Sequence, residues 1–185
     1  MTAIVGLVES GVVYIGGDSA GVSGMSLTVR ADAKVFRKKR YVFGFTTSFR
    51  MGQLIRYSMT IPKPVGDLDA FMATIFIDAL RECLKSGGWA AKDNEREEGG
   101  TFLVGVNGRL FAVYDDYQVA KAADGFAAVG CGDQIALGAL YATADAGLSP
   151  RRRVMSALAA AERFSAGVRG PFVCIKSRSP AVESR

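Results

Sequence analysis

Histidine does not occur anywhere in the 185 residues. That absence excludes a Ser-His-Asp or Cys-His engine and any histidine-ligated metal. An enzyme built on this chain must take its base from elsewhere. A terminal amine, which titrates near pH ~8, and lysine are the natural candidates. Cysteine is scarce: Cys83, Cys131 and Cys174 are odd in number and widely spaced. They match neither a disulfide framework nor a zinc-ligand pattern, and are expected chiefly as small buried hydrophobes. No apolar run approaches the ~20 residues of a membrane helix. The first residues lack the charged segment and small-residue cleavage site of a secretory signal. The expected compartment is the cytoplasm, with no membrane partner.

What is present is a core. Hydrophobic residues make up 49% of the chain, and its 22 glycines are spread along it rather than gathered into a linker. This predicts one globular domain over 1–176, followed by a polar tail over 177–185. The net charge is +5, with basic runs at Arg37-Lys38-Lys39-Arg40 and Arg151-Arg152-Arg153. Aromatic residues do not interleave with either run as a stacking platform for nucleic acid requires. The two runs are expected as a solvated turn and a solvated helix start, with no nucleic-acid partner.

Along the chain, Thr2 to Val8 reads as a buried strand and Val12 to Ile15 as its hairpin return, turning at Glu9-Ser10-Gly11. Ser26–Val29, Lys34–Phe36 and Tyr41–Thr46 read as further strands. The period then becomes helical from Ser48 to about Met59. A second helix, N-capped by Asp67, carries a buried stripe from Leu68 to Cys83 and stops at Gly87-Gly88. Lys92 to Glu98 reads as a charged exposed loop. Phe102–Val106 and Arg109–Tyr114 flank Asn107-Gly108, the strongest short hairpin signal. Tyr117–Ala120 and Phe126–Val129 add short strands. A helix capped by Asp133 runs to Gly147, another opens at Ser149-Pro150 and reaches about Phe164, and Phe172–Ile175 closes the order. Three arginines in that helix's first turn oppose its dipole, at a cost of a few tenths of a kcal/mol each unless a partner compensates.

Three residues stand at even steps of sixteen: Thr2, Asp18 after Gly16-Gly17, and Lys34 in Ala33-Lys34-Val35. A threonine hydroxyl is a poor nucleophile and needs an adjacent base. If Met1 is removed, the α-amine of Thr2 itself can take the proton. A buried lysine beside it favours the neutral amine and stabilises the developing alkoxide. That lysine needs an opposite charge, and Asp18, delivered at a strand end, is the expected partner.

The Thr2 start, Gly16-Gly17-Asp18, Ala33-Lys34-Val35-Phe36-Arg37 and Ala128-Val129-Gly130-Cys131-Gly132 together resemble the proteasome β-subunit and HslV peptidase family. These are the threonine proteases among the N-terminal nucleophile hydrolases, and the resemblance spans almost the whole chain. It implies an α+β fold, a four-layer αββα sandwich of two mostly antiparallel sheets between helix pairs. It implies a threonine peptidase with Thr2, Asp18 and Lys34 catalytic, and an oxyanion-binding backbone N–H in the turn Thr46-Thr47-Ser48. No metal or organic cofactor is implied. The expected partners are a peptide or unfolded protein substrate, further copies of the chain in a homo-oligomeric ring, and a separate ATPase unfoldase. Thr47 stands where the family usually has glycine, and Cys131 where it usually has a serine supporting the terminal amine. The family also carries an aspartate and a serine after the last helix. Here the stretch is Glu162-Arg163-Phe164-Ser165-Ala166-Gly167, which leaves Ser165 as the candidate for polar support. A non-catalytic ring subunit and a small-molecule amidase on the same scaffold are the alternative expectations.

Overall fold

The computed structural model describes residues 1–93 and 96–178. Thirteen strands and five α-helices are assigned among them, and every paired strand is antiparallel. The first sheet has the order β12-β1-β2-β13, from Phe126–Val129, Ile4–Glu9, Val12–Gly17 and Val173–Lys176. The second has the order β11-β10-β9-β6-β5, from Val119–Ala120, Arg109–Val113, Phe102–Val106, Tyr41–Phe45 and Val35–Lys38. A separate hairpin pairs β3 (Ala20–Ser23) with β4 (Ser26–Val29).

Turn chemistry sets the registers. Ser10 and Gly11 both have positive φ, as do Asn107 and Gly108, the backbone twist that a two-residue hairpin loop requires. Only glycine fits at 108, because a Cβ there would lie 2.8 Å from the Gly11 carbonyl oxygen. The β1–β2 register pairs Ile4 with Gly17. The residue after β2, Asp18, therefore sits beside the residues before β1, Thr2 and Ala3.

Alternation with period two sorts the side chains into three apolar clusters. Ile4, Val13 and Ile15 of the first sheet pack with Val35, Val42, Leu103 and Leu110 of the second. The other face of the first sheet, with Val5, Leu7 and Phe126, meets Leu140 of α4 (Asp133–Ala142) and Val154 and Leu158 of α5 (Pro150–Phe164). The other face of the second sheet is aromatic. Phe36, Tyr41, Phe43, Phe45 and Phe102 pack with α1 (Phe49–Gln53), α2 (Leu68–Phe71), α3 (Ile77–Ser86) and the π-helical turns Leu54–Ser58 and Met72–Phe76 that extend α1 and join α2 to α3. The sheets approach closely at Gly44, where a Cβ would stand 2.5 Å from Ile4 Cγ2 and 2.7 Å from Ile15 Cγ2.

Several expectations need correction. The charged stretch from Lys92 to Glu98 is not simply a loop, since Ala91–Asp93 and Arg96–Glu98 form β7 and β8, and Arg81 pairs with Glu97 at 2.8 Å. Asn94 and Glu95 lie outside the described residues. Gly132, not Asp133, is the N-cap of α4, and that helix ends at Ala142. Asp133 is the first helical residue, and its carboxylate accepts from the Gln134 N–H. Only Val119–Ala120 of the stretch from Tyr117 is strand, because Tyr117 has φ 67° and belongs to a turn. Residues 179–185 of the tail lie outside the described residues. Ser177 itself is buried, and its Oγ and N–H bond the Val13 N–H and carbonyl.

The basic runs are exposed as expected at Arg37, Lys39, Arg40, Arg151 and Arg152, and Arg153 is the buried exception. Arg37, Lys38 and Lys39 donate to the carbonyls of Lys176, Ile55 and Ile61. Arg151 donates to the Cys174 carbonyl, and the buried Arg153 to the Leu140 carbonyl in the last turn of α4. The charge that opposes the dipole of α5 thus satisfies the C-terminal end of α4.

Candidate active site

Four segments converge at the start of β1. The turn after β2 brings Asp18, the approach to β5 brings Lys34, and the end of β12 brings Gly130, Cys131 and Gly132. The loop after α5 brings Ser165 to Arg169. Thr2, Asp18 and Lys34 are 4%, 1% and 2% exposed. Polar side chains this deeply buried must be paired, and they are. Lys34 Nζ lies 2.7 Å from Thr2 Oγ1 and 2.7 Å from Asp18 Oδ1. Because Asp18 follows a strand of one sheet and Lys34 precedes a strand of the other, the ion pair also ties the two sheets together.

The Asp18 carboxylate is saturated. Oδ1 also accepts from the Ala3 N–H at 3.2 Å, and Oδ2 accepts from the N–H groups of Ala20 at 3.0 Å and Arg169 at 3.2 Å. The Arg169 contact was not visible in the sequence, because it is made by backbone 151 residues away. Glu162, near the end of α5, holds that loop by accepting the Gly170 N–H at 2.9 Å. Burial pushes the Lys34 ammonium below the ordinary 10.5, against the opposing pull of Asp18.

The sign of that shift makes two expectations. Between the lowered pKa and 10.5 the unfolded chain binds a proton that the folded chain does not, so Lys34's contribution to stability rises with pH there. A reaction that needs the ammonium declines over the same window. Rate and urea midpoint measured on one set of buffers above neutrality should therefore diverge, the rate falling while the Lys34-dependent part of stability, taken against Lys34→Met, rises. Parallel decline of both would place the alkaline limb elsewhere.

Cys131 faces the nucleophile's nitrogen. Its Sγ accepts from the Thr2 N–H at 3.2 Å and lies 3.5 Å from the Thr2 carbonyl oxygen, which the Gly132 N–H also reaches at 3.3 Å. The approach requires glycine at 130, where φ is 106° and a Cβ would be 2.3 Å from the Thr2 carbonyl oxygen. Cys83 and Cys174 are buried as expected, but Cys131 is exposed. Ser165 reaches the site through that thiol, Oγ to Sγ 3.4 Å, and its hydroxyl also donates to the Cys131 carbonyl at 3.5 Å. Gly167 points at the same place: a Cβ there would meet Met1 Cβ at 2.5 Å and Cys131 Sγ at 2.7 Å. With Met1 in place a side chain at 167 has no room. Thr2 Oγ1 donates to the Met1 carbonyl.

Thr47 adopts φ 60°, a conformation costly for a β-branched residue and free for glycine. Its hydroxyl accepts the Thr101 N–H at 3.0 Å, which offsets part of that strain. Among the described residues no acceptor takes the Thr47 N–H, and Thr47 lines the cavity that contains Thr2. The cavity measures ≈ 520 Å³. Arg30, Asp32 and Phe49 form part of its wall. None of these was singled out from sequence, although Arg30 and Asp32 stand within four residues of Lys34.

No protein-family model matches the sequence, and no curated protein is a significant match. Solved structures do match. A structure titled "Thiobacillus denitrificans BPH in complex with Epoxomicin" is 20% identical, with a TM-score of 0.80 over 96% of this chain and 100% of that one. Eukaryotic HslV from Trypanosoma brucei is 18% identical, with a TM-score of 0.68 over 94% and 98%. An Anbu (Gly-1) mutant from Hyphomicrobium sp. strain MC1 is 14% identical, with a TM-score of 0.68 over 96% and 82%. The chain therefore has the HslV-like, proteasome-type fold. Among the described residues no helix is long and apolar enough to cross a membrane.

Proposed function

We propose that the protein is a threonine-type peptidase whose nucleophile is Thr2, exposed by removal of Met1. The observation that carries this reading is the buried Lys34 ammonium, 2.7 Å from both the Thr2 hydroxyl and the Asp18 carboxylate. In acylation, Thr2 Oγ1 attacks the substrate carbonyl carbon and its proton passes to the freed Thr2 amine. The oxyanion is met by the Thr47 N–H, and the Lys34 ammonium stabilises the negative charge that develops on the attacking oxygen as its proton leaves. Collapse breaks the C–N bond, and the ammonium returns its proton to the leaving amine. Water then attacks the Thr2 ester and gives its proton to the amine. When the ester bond breaks, that proton restores the Thr2 hydroxyl and the acid product leaves. Asp18 holds Lys34 charged and in place. The Cys131 thiol and, through it, Ser165 orient the amine.

The three apolar clusters support a four-layer αββα arrangement. The likeness to HslV supports a ring of identical subunits with the sites inside, supplied by a separate ATPase when the substrate is a folded protein. Three unpaired cysteines fit a reducing compartment such as the cytoplasm. A second reading, a non-catalytic ring subunit, is favoured while Met1 stays in place, because an acylated Thr2 nitrogen cannot serve as the base. Intact mass under native expression, paired with hydrolysis of fluorogenic peptides, separates the two. A mass short by one methionine with turnover supports the peptidase; retained Met1 without turnover supports the non-catalytic subunit.

A further inference from the structure

The cavity beside Thr2 has a wall that the catalytic chemistry does not use. Arg30 and Asp32 form a two-pronged pair across it, Nε to Oδ1 2.7 Å and Nη2 to Oδ2 2.6 Å. Both are partly exposed, at 35% and 43% of their side chains. Arg30 is held in one pose from three further directions. Its backbone N–H donates to the Ser19 carbonyl at 2.8 Å. Its guanidinium carbon lies 3.6 Å from the centre of the Phe49 ring. Its stem lies along Gly21, where a Cβ would stand 2.7 Å from Arg30 Cδ. Asp32, Gly21 and Phe49, which flank Arg30, line the same ≈ 520 Å³ cavity as Thr2, so the pair is a fixed wall of the cleft.

We propose that the Arg30–Asp32 pair selects the substrate side chain seated beside the nucleophile: it admits a large uncharged side chain and rejects acidic and basic ones alike. This rests on the peptidase reading above. Both oxygens of Asp32 are engaged by Arg30, so each charge is cancelled by its neighbour. An acidic side chain meets Asp32 and must compete with it for a guanidinium already forked onto a carboxylate. A basic side chain meets Arg30 and, deeper, the Lys34 ammonium, while the Asp18 carboxylate behind it is fully occupied. The remaining lining, with Val22, Phe45 and Phe49 among hydroxyl and glycine positions, is uncharged, and the volume falls within the range of ligand pockets.

The discriminating experiment uses three peptides identical except for leucine, glutamate or arginine on the acyl side of the cleaved amide. Their binding is measured by fluorescence anisotropy on Thr2→Ala protein, and their cleavage on protein with a free Thr2. The expected order is leucine over either charged peptide by about tenfold or more. Asp32→Asn, which frees Arg30 at constant shape, should raise the glutamate peptide by about tenfold relative to leucine. Arg30→Gln, which frees Asp32, should raise the arginine peptide in the same way. Equal affinity for all three peptides, no affinity for any, or unchanged order in both variants overturns the proposal. Ordered binding without cleavage by the free-Thr2 protein leaves the selection in place and overturns the peptidase reading alone.

Discussion

Thr2→Ala is expected to lower peptide turnover by about 10⁴-fold or more, leaving substrate affinity within a few-fold of the parent protein. The reason is geometric. The hydroxyl is the group that the buried ammonium contacts at 2.7 Å, and alanine removes the nucleophile while sparing every residue of the cavity wall. The structural cost is small, about 1 kcal/mol, because Lys34 loses one acceptor and keeps Asp18. Thr2→Ser, which keeps an oxygen in place, should retain measurable turnover. Initial rates with matched peptides, and urea midpoints for each variant, check both halves of the statement. Turnover by Thr2→Ala at the parent rate removes Thr2 as nucleophile. A loss of rate accompanied by an equal loss of folding would say nothing of chemistry, which is why the midpoints are needed beside it.

Asp18→Ala should produce the largest loss of stability at the site, about 3–5 kcal/mol. For a domain of this size that is roughly 10 °C in Tm. Alanine leaves the Lys34 ammonium buried without its counter-charge, and it orphans the N–H groups of Ala3, Ala20 and Arg169 that the carboxylate accepts. Asp18→Asn keeps acceptor capacity on one oxygen and should cost less stability, yet it removes the charge that holds Lys34 protonated and so should still depress turnover. The pair Lys34→Met and Asp18→Asn separates the effects. Removing both charges should recover part of the stability lost by Asp18→Ala, because no uncompensated ion is left inside, while activity stays absent. Thermal unfolding of the three variants against the parent is the measurement. A cost for Asp18→Ala below about 1 kcal/mol would mean that the ion pair does not hold the two sheets together.

How much of this was legible depended on whether the signal was local. The apolar runs Ile4-Val5-Gly6-Leu7 and Tyr41-Val42-Phe43, and the turns at Ser10-Gly11 and Asn107-Gly108, announced strands and hairpins that the structure repeats. The steps from Thr2 to Asp18 to Lys34, together with the family resemblance, pointed to the three residues that the fold brings within hydrogen-bond reach. Helix ends were less legible. The N-cap of α4 is a glycine without a side-chain bond, so the cap-like Asp133 drew the boundary one residue late. The burial of Arg153 was not legible, because its partner is the Leu140 backbone carbonyl, which every residue carries and no side-chain pattern marks.

The sequence by itself determined the apolar runs that build two sheets, the turn chemistry that sets their registers, and the absence of histidine that limits the choice of base. Only the tertiary structure decided that Cys131 is exposed against the Thr2 nitrogen, that Gly167 leaves no space beside Met1, that the Arg169 backbone helps hold Asp18, and that Arg30 and Asp32 close on each other at the cleft. Periodicity and turn propensity arise between near neighbours in the chain and can be read along it. Contacts such as Arg169 to Asp18, 151 residues apart, exist only once β13 has paired with β2, and which atoms then meet is set by packing.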